Sequence, residues 1–334
     1  MQDALFDTGD LPRRVAPADA GERVHELAAR LRRRFGDRLH LGTSSWHFPG
    51  WAGLVWDRPH EESTLSRHGL GAYAAHPLLR CVSLDRAFYR PLDAPAYAAL
   101  AAQVPADFRF VVKAFSGVTD AVLRDPANGR ARQPNPRFLD VDAALATCVQ
   151  PAAQGLRDRL GVLVFQLSPL PAAALAEPMA LQARLEALWQ AARPALPDGA
   201  QLALELRDPA LLTPALARSL KAHGVRFCVG VHDRMPDSDA QLPMLRATWP
   251  GDLVCRWNLQ RGQRYAEAKD AWAPFDRLRA YRMTKDGKGV NLAGIWQNSY
   301  LLEPFTMRPS IIFTSPIFHN TVPSDRVPVA NIKE

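Results

Sequence analysis

Gln201-Leu202-Ala203-Leu204-Glu205-Leu206-Arg207 alternates leucine with another residue at nearly every step. Successive side chains of a strand point to opposite faces, so Leu202, Leu204 and Leu206 share one face while Ala203, Glu205 and Arg207 share the other. The leucine face suits packing against helices. The second face starts apolar and turns charged at its C-terminal end, which packing alone does not explain, because an unpaired charge taken out of water costs several kcal/mol. The stretch therefore predicts a buried strand whose far end opens on a site.

The same design recurs along the chain. Apolar runs at 81–85, 108–113, 160–166, 225–232 and 253–258 end in Asp85, Lys113, Gln166, His232, and Arg256 with Asn258. A first strand begins at Leu39 and leaves through Thr43-Ser44-Ser45-Trp46. Counting by twos places Val111 and Lys113, Val164 and Gln166, Gly230 and His232, and Arg256 and Asn258 on one common side. Ala- and Leu-rich stretches at 172–192 and 211–222 read as helices between the strands, and Val24, Leu27, Ala28 and Leu31 mark a helix over 21–35. Strand alternating with helix predicts an α/β, TIM-like (β/α) barrel, in which all strand ends converge on one mouth.

At 334 residues with 47% hydrophobic content, the chain can supply one large core. The expected organisation is an N-terminal arm and helix over 1–38, with 1–20 loose, a barrel domain over 39–280, and an atypical segment over 281–334. The segment stands out because the first isoleucine of the chain is Ile295, followed by Ile311, Ile312, Ile317 and Ile332. That shift reads as foreign or altered coding, with an eighth strand available at 310–314. No run suits a membrane span or a signal peptide, so the expected setting is cytoplasmic. Cys81, Cys148, Cys228 and Cys255 are far apart and read as buried reduced thiols. A net charge of +7 favours anionic partners, and Arg30, Arg32, Arg33 and Arg34 form the densest basic cluster, either a solvated helix face or a nucleic-acid footprint.

Taken together, several motifs resemble the YecE-like family, domain of unknown function 72. They are Gly42-Thr43-Ser44-Ser45-Trp46-His47-Phe48-Pro49-Gly50-Trp51, Asp85-Arg86-Ala87-Phe88-Tyr89, Phe108 to Lys113, Phe165-Gln166, Glu205-Leu206-Arg207-Asp208 and Arg256-Trp257-Asn258-Leu259. The resemblance runs from about 39 to 278 and implies a TIM-barrel-like fold, with no settled reaction. Two departures accompany it: Ser83 and Asp85 stand in a variant of the family's second-strand pattern, and the family's Asn-Asn pair at the eighth strand is missing from this sequence.

The residues themselves suggest roles. Glu205 could transfer protons or, paired with Arg207, anchor the mouth. Lys113 could pair with Glu205 and act as acid, base, imine-forming amine or anion-binding charge. His232 is the group suited to proton exchange near neutral pH. Thr43 and Ser44 offer hydroxyls, Trp46, Trp51, Phe88 and Tyr89 a stacking wall, and Asp85, Gln166, Arg207, Asp208, Arg256 and Asn258 polar contacts for a ligand; Asp208 could equally cap the next helix. Glu205, His232 and Asp85 could hold a divalent metal, though no ligand pair at helical spacing supports it, and the cofactor is unknown. The reading is an enzyme, a hydrolase, lyase or isomerase, acting on a small anionic or polyhydroxylated ligand. Its alternatives are a nucleic-acid-binding or nuclease-like barrel and an inactive barrel with an altered end. The sequence leaves the oligomeric state open.

Overall fold

The structure, a computed structural model, describes residues 14–124, 131–231, 235–248, 252–257 and 311–315, the last of these as backbone. In chain order the strands are β1 (Leu39–Thr43), β2 (Leu79–Leu84), β3 (Arg109–Lys113), β4 (Val122–Arg124), β5 (Ala131–Pro134), β6 (Leu160–Gln166), β7 (Gln201–Glu205), β8 (Arg226–Val231), β9 (Leu253–Trp257) and β10 (Ile311–Ser315). Eight of them form a closed parallel barrel in the order β1-β10-β9-β8-β7-β6-β3-β2, with β2 returning to β1. β4 and β5 pair separately, as an antiparallel hairpin on the connection that leaves β3.

The alternation seen at 201–207 holds around the barrel. Cys81, Val111, Val162, Val164, Ala203, Cys228 and Val254 make one buried cluster inside the lumen. Their strand neighbours Val82, Phe110, Leu163, Leu202, Leu204, Phe227 and Cys255 belong to a second, larger cluster with helix residues such as Leu185, Leu188, Trp189, Leu216 and Leu220. Leu202 and Leu204 are fully buried in that outer layer, each contributing roughly 1.5–3 kcal/mol of burial. A lumen residue and its neighbour thus sit in different cores, which fixes register, since a one-residue slip would exchange them.

Between β1 and β2 the strands approach so closely that a Cβ at Gly42 would lie 1.8 Å from the Cys81 carbonyl oxygen. The pairing register shifts at the same point. Only a residue without a side chain fits there.

Several expectations are refined. The stretch 172–192 is two helices, Ala172–Leu175 and Pro178–Ala192, because Pro178 has no N–H to continue the first and Glu177 before it leaves the helical region. The helix expected over 211–222 runs as Pro214–Ala222, where the Thr213 hydroxyl accepts the Leu216 N–H. The first helix is Glu22–Phe35. The arm is not loose throughout: Ala18 and Asp57 donate backbone hydrogen bonds to Val55 and Ala16, and Val15 is buried in the outer core. The eighth strand forms at Ile311–Ser315, paired to β1 on one side and β9 on the other. All four cysteines are free and buried. Among the described residues no helix is long and apolar enough to cross a membrane.

Candidate functional site

Above the apolar lumen layer, the next inward residues form a continuous chain of charge. Glu205 is completely buried at the end of β7, its Oε1 accepting from Arg207 Nη2 at 2.7 Å and its Oε2 from Arg256 Nη1 at 2.7 Å. Arg256, on β9, reaches across with Nη2 to both oxygens of Asp85 at 2.9 and 3.1 Å. Asp85 also accepts from the Ser83 hydroxyl at 2.6 Å, and Arg207 Nη2 donates to Gln166 Oε1 at 3.0 Å. Side chains from the ends of β2, β6, β7 and β9 are thereby locked together.

Burial by itself would raise the Glu205 carboxyl, but Arg256, Arg207 and Lys113 outweigh it and hold the group down at about 2. An acid of that strength, with both oxygens occupied, is a fixed negative charge. The proton-transfer role expected for Glu205 gives way to its anchoring role for that reason.

Lys113 is placed differently. Its Nζ lies 3.8 Å from the centroid of the Phe88 ring, and the side chain is 8% exposed. The expected pairing with Glu205 is not made. Both Glu205 oxygens are taken by arginines, and among the described residues the amine makes no hydrogen bond or ion pair. Its pKa is lowered from 10.5 to about 8, chiefly by burial, with Asp85 and Glu205 opposing the fall and Arg256 and Arg207 adding to it. Three cations, Lys113, Arg207 and Arg256, thus face two carboxylates, Asp85 and Glu205, and the surplus positive charge has no fixed partner.

Other expected residues lie elsewhere. Thr43 faces the helix layer, its backbone N–H and hydroxyl meeting the Tyr73 hydroxyl at 2.9 Å each and its Oγ1 donating to the Ser45 carbonyl at 2.6 Å. Trp46 is core, donating to the Leu65 carbonyl at 3.2 Å, and Trp51 is buried against Trp56 and Tyr73. Neither tryptophan can line a wall at the mouth. Arg86 lies with its guanidinium 5.2 Å from the Trp46 ring centroid, outside the charge network. Tyr89 is 76% exposed, beyond Phe88. Ser44 is half-buried in the turn after β1. Asp208 caps no helix; its Oδ2 accepts the Leu170 N–H at 2.9 Å and so ties the loop after β6 to that after β7. His232 and Asn258 lie outside the described residues.

One participant, Ser83, has no site role in the sequence reading, and one, Phe88, has a different role from the stacking wall expected of it. Ser83 precedes Asp85 by two, on the same lumen parity, and that spacing was the available signal. Phe88, expected in a stacking wall, instead lies under the Lys113 amine, a contact that no spacing announces. As for a metal, the carboxylates that could take one are each already shared with Arg256, whose charge repels a cation, and no group of metal-ligating side chains occurs among the described residues.

A parallel barrel with converging polar strand ends defines a broad class of proteins that carry their sites at the C-terminal mouth. Within that class, the chain belongs to the family described as "Protein of unknown function DUF72", which it matches over residues 40–299. Among solved structures it is similar to a DUF72 family protein of Enterococcus faecalis V583, with 15% identity, a TM-score of 0.51, and coverage of 83% of this chain and 89% of the other. It is also similar to a DUF72 family protein of Thermotoga maritima MSB8, with 18% identity, a TM-score of 0.49, and coverage of 83% and 92%. These likenesses concern the fold. No curated protein matches the chain.

Proposed function

We propose that this protein is a cytoplasmic enzyme that binds a small anionic ligand at the C-terminal mouth of the barrel and uses Lys113 as its proton-transferring group. The observation that carries the reading is the uncommitted Lys113 amine beside a network in which the other described charges are already paired. A buried ammonium without a counter-ion is costly to keep, and an anionic ligand would supply the missing partner. With a pKa of about 8, the same amine could give and take a proton near neutral pH. Asp85, Glu205, Arg207 and Arg256 would then serve as a rigid electrostatic frame that needs no rearrangement during reaction. The reaction type, whether hydrolysis, elimination or isomerisation, is open in this reading. Free, buried thiols suit the reducing compartment assigned here.

The test is a thermal-shift screen of small carboxylates, phosphates and sulfate against the protein beside Lys113→Met and Glu205→Gln. Stabilisation by an anion that disappears in Lys113→Met supports the site. If no anion separates the three proteins, the assignment fails.

A further inference from the structure

We propose that Lys113 forms an imine with a small oxo acid whose carboxylate is held by Arg207; this rests on the anion-binding reading above and names its substrate class. Imine formation needs an amine that is not locked in an ion pair, a restricted space, and an orienting group for the rest of the substrate. The amine and the orienting group have counterparts at the mouth. Lys113 Nζ rests on the Phe88 face and has no hydrogen-bond acceptor among the described residues. The two carboxylates that would otherwise capture it are engaged by Arg207 and Arg256 at 2.7 to 3.1 Å. The amine thus has neither acid within ion-pair distance, and both acids are engaged by the arginines.

Arg207 supplies the orienting group. Its two hydrogen bonds, to Gln166 and Glu205, both leave from Nη2, so Nη1 has no acceptor among the described residues. Lys113 Nζ and Arg207 Nη1 are thus the two terminal nitrogens of the network's cations that have no acceptor among the described residues, and the arginine charge acts on the amine. A ligand using both would carry a carbonyl carbon for the amine and a carboxylate for the guanidinium, which is the shape of a small oxo acid.

The chemistry balances without an added reagent. The neutral amine attacks the carbonyl carbon, forming an N–C bond while the carbonyl oxygen takes a proton. Loss of that oxygen as water from the carbinolamine leaves a protonated imine. Starting from the ammonium, the sum is ammonium plus carbonyl giving iminium plus water, with no net proton change and no redox step. The Ser83 hydroxyl, donating to Asp85 at 2.6 Å, stands on the neighbouring strand as a relay for the proton that the oxygen needs. The resulting iminium draws electrons from the adjacent carbon and would ease proton loss or bond cleavage there.

The experiment incubates the full chain with pyruvate, reduces with sodium borohydride, and locates any adduct by intact mass and peptide mapping. Acetone, which lacks the carboxylate, and oxalate, which lacks a ketone, are run in parallel. Expected is one reduced adduct on Lys113 and none on the exposed Lys221, with labelling lost in Lys113→Arg and greatly reduced in Arg207→Met or with acetone. Because the mapping is done on the unmutated protein, a variant that fails to fold does not blur the result. An adduct spread over surface lysines, or none at all, overturns the imine. If oxalate still raises the melting temperature in a Lys113-dependent way while no adduct forms, the covalent step alone is wrong; if oxalate also does nothing, the anion site falls with it.

Discussion

Arg256 on β9 grips both carboxylate oxygens of Asp85, at 2.9 and 3.1 Å, across a sequence separation of 171 residues. Its other terminal nitrogen holds Glu205 at 2.7 Å, so one guanidinium serves two acids from two other strands. Arg256→Met should destabilise the fold by about 3–5 kcal/mol, because Glu205 would keep a buried charge with a single partner. Arg256→Lys should recover only part of the loss, since a lone ammonium lacks the fork that spans both acids. Urea denaturation of the three proteins checks the order; an unchanged midpoint in Arg256→Met would remove the network from any structural role.

Acid should weaken the fold in two separable steps. His40 and His76 are each held at about 4, chiefly by burial, with Arg80 and Arg109 helping at His40 and His25 at His76. Such histidines stay neutral in the fold while the unfolded chain takes up protons below 6.5, so stability drains as pH falls from 6.5 towards 4. Glu205 works in the lower window: its contribution is complete above 4.5 and is lost as pH falls towards 2. Stability measured against pH should lose the upper slope in part in His40→Gln and the lower slope in Glu205→Gln. Identical profiles for all three proteins would contradict the assignment.

Lys113 should cost the protein stability. Its pKa is about 8 in the fold against 10.5 outside it, so stability falls as pH drops through that interval and the amine must charge in a dry setting. Lys113→Met should therefore raise stability at pH 7 by roughly 1 kcal/mol, the usual exchange of function for firmness. Sulfate, whose own charge is constant there, should bind the unmutated protein less well as pH climbs through 8, whereas Lys113→Arg should be flat. Calorimetric titration across pH 6.5 to 9.5 distinguishes the two.

The arginine cluster should be irrelevant to the mouth. The helix Glu22–Phe35 delivers Arg32, Arg33 and Arg34 to the start of β1, and Arg32 lies 3.8 Å from Asp107, just before β3. Both are the N-terminal ends of barrel strands, opposite the charge network. Reversing Arg32, Arg33 and Arg34 to glutamate should leave the anion response unchanged while weakening any salt-sensitive nucleic-acid binding. A lost anion response would contradict that separation.

Period-two alternation is local, so the inward set Val111, Lys113, Val164, Gln166, Ala203 and Glu205 was legible from seven-residue windows. Which inward groups meet was not. The bond from Arg256 to Asp85 depends on closing the sheet, and the seat of Lys113 on Phe88 depends on how β3 meets the segment after β2. Thr43 misled because polarity at a strand exit does not tell direction. Its parity opposite Gly42, whose pairing with Cys81 marks the lumen side, was the better guide. The break at Pro178 was readable in principle, since proline cannot extend a preceding helix.

The reach of Arg256 across the rim also orders events at synthesis. A nascent chain displays Asp85 long before the guanidinium that grips it leaves the ribosome, whereas Glu205 emerges together with Arg207 and waits only for its second partner. Completion of the pocket therefore comes late in the life of the growing polypeptide, and sealing of the cylinder by β10 later still. A fragment ending before β9 would leave Asp85 without its fork and Glu205 with Arg207 as its one arginine partner, where the finished protein holds its tightest knot.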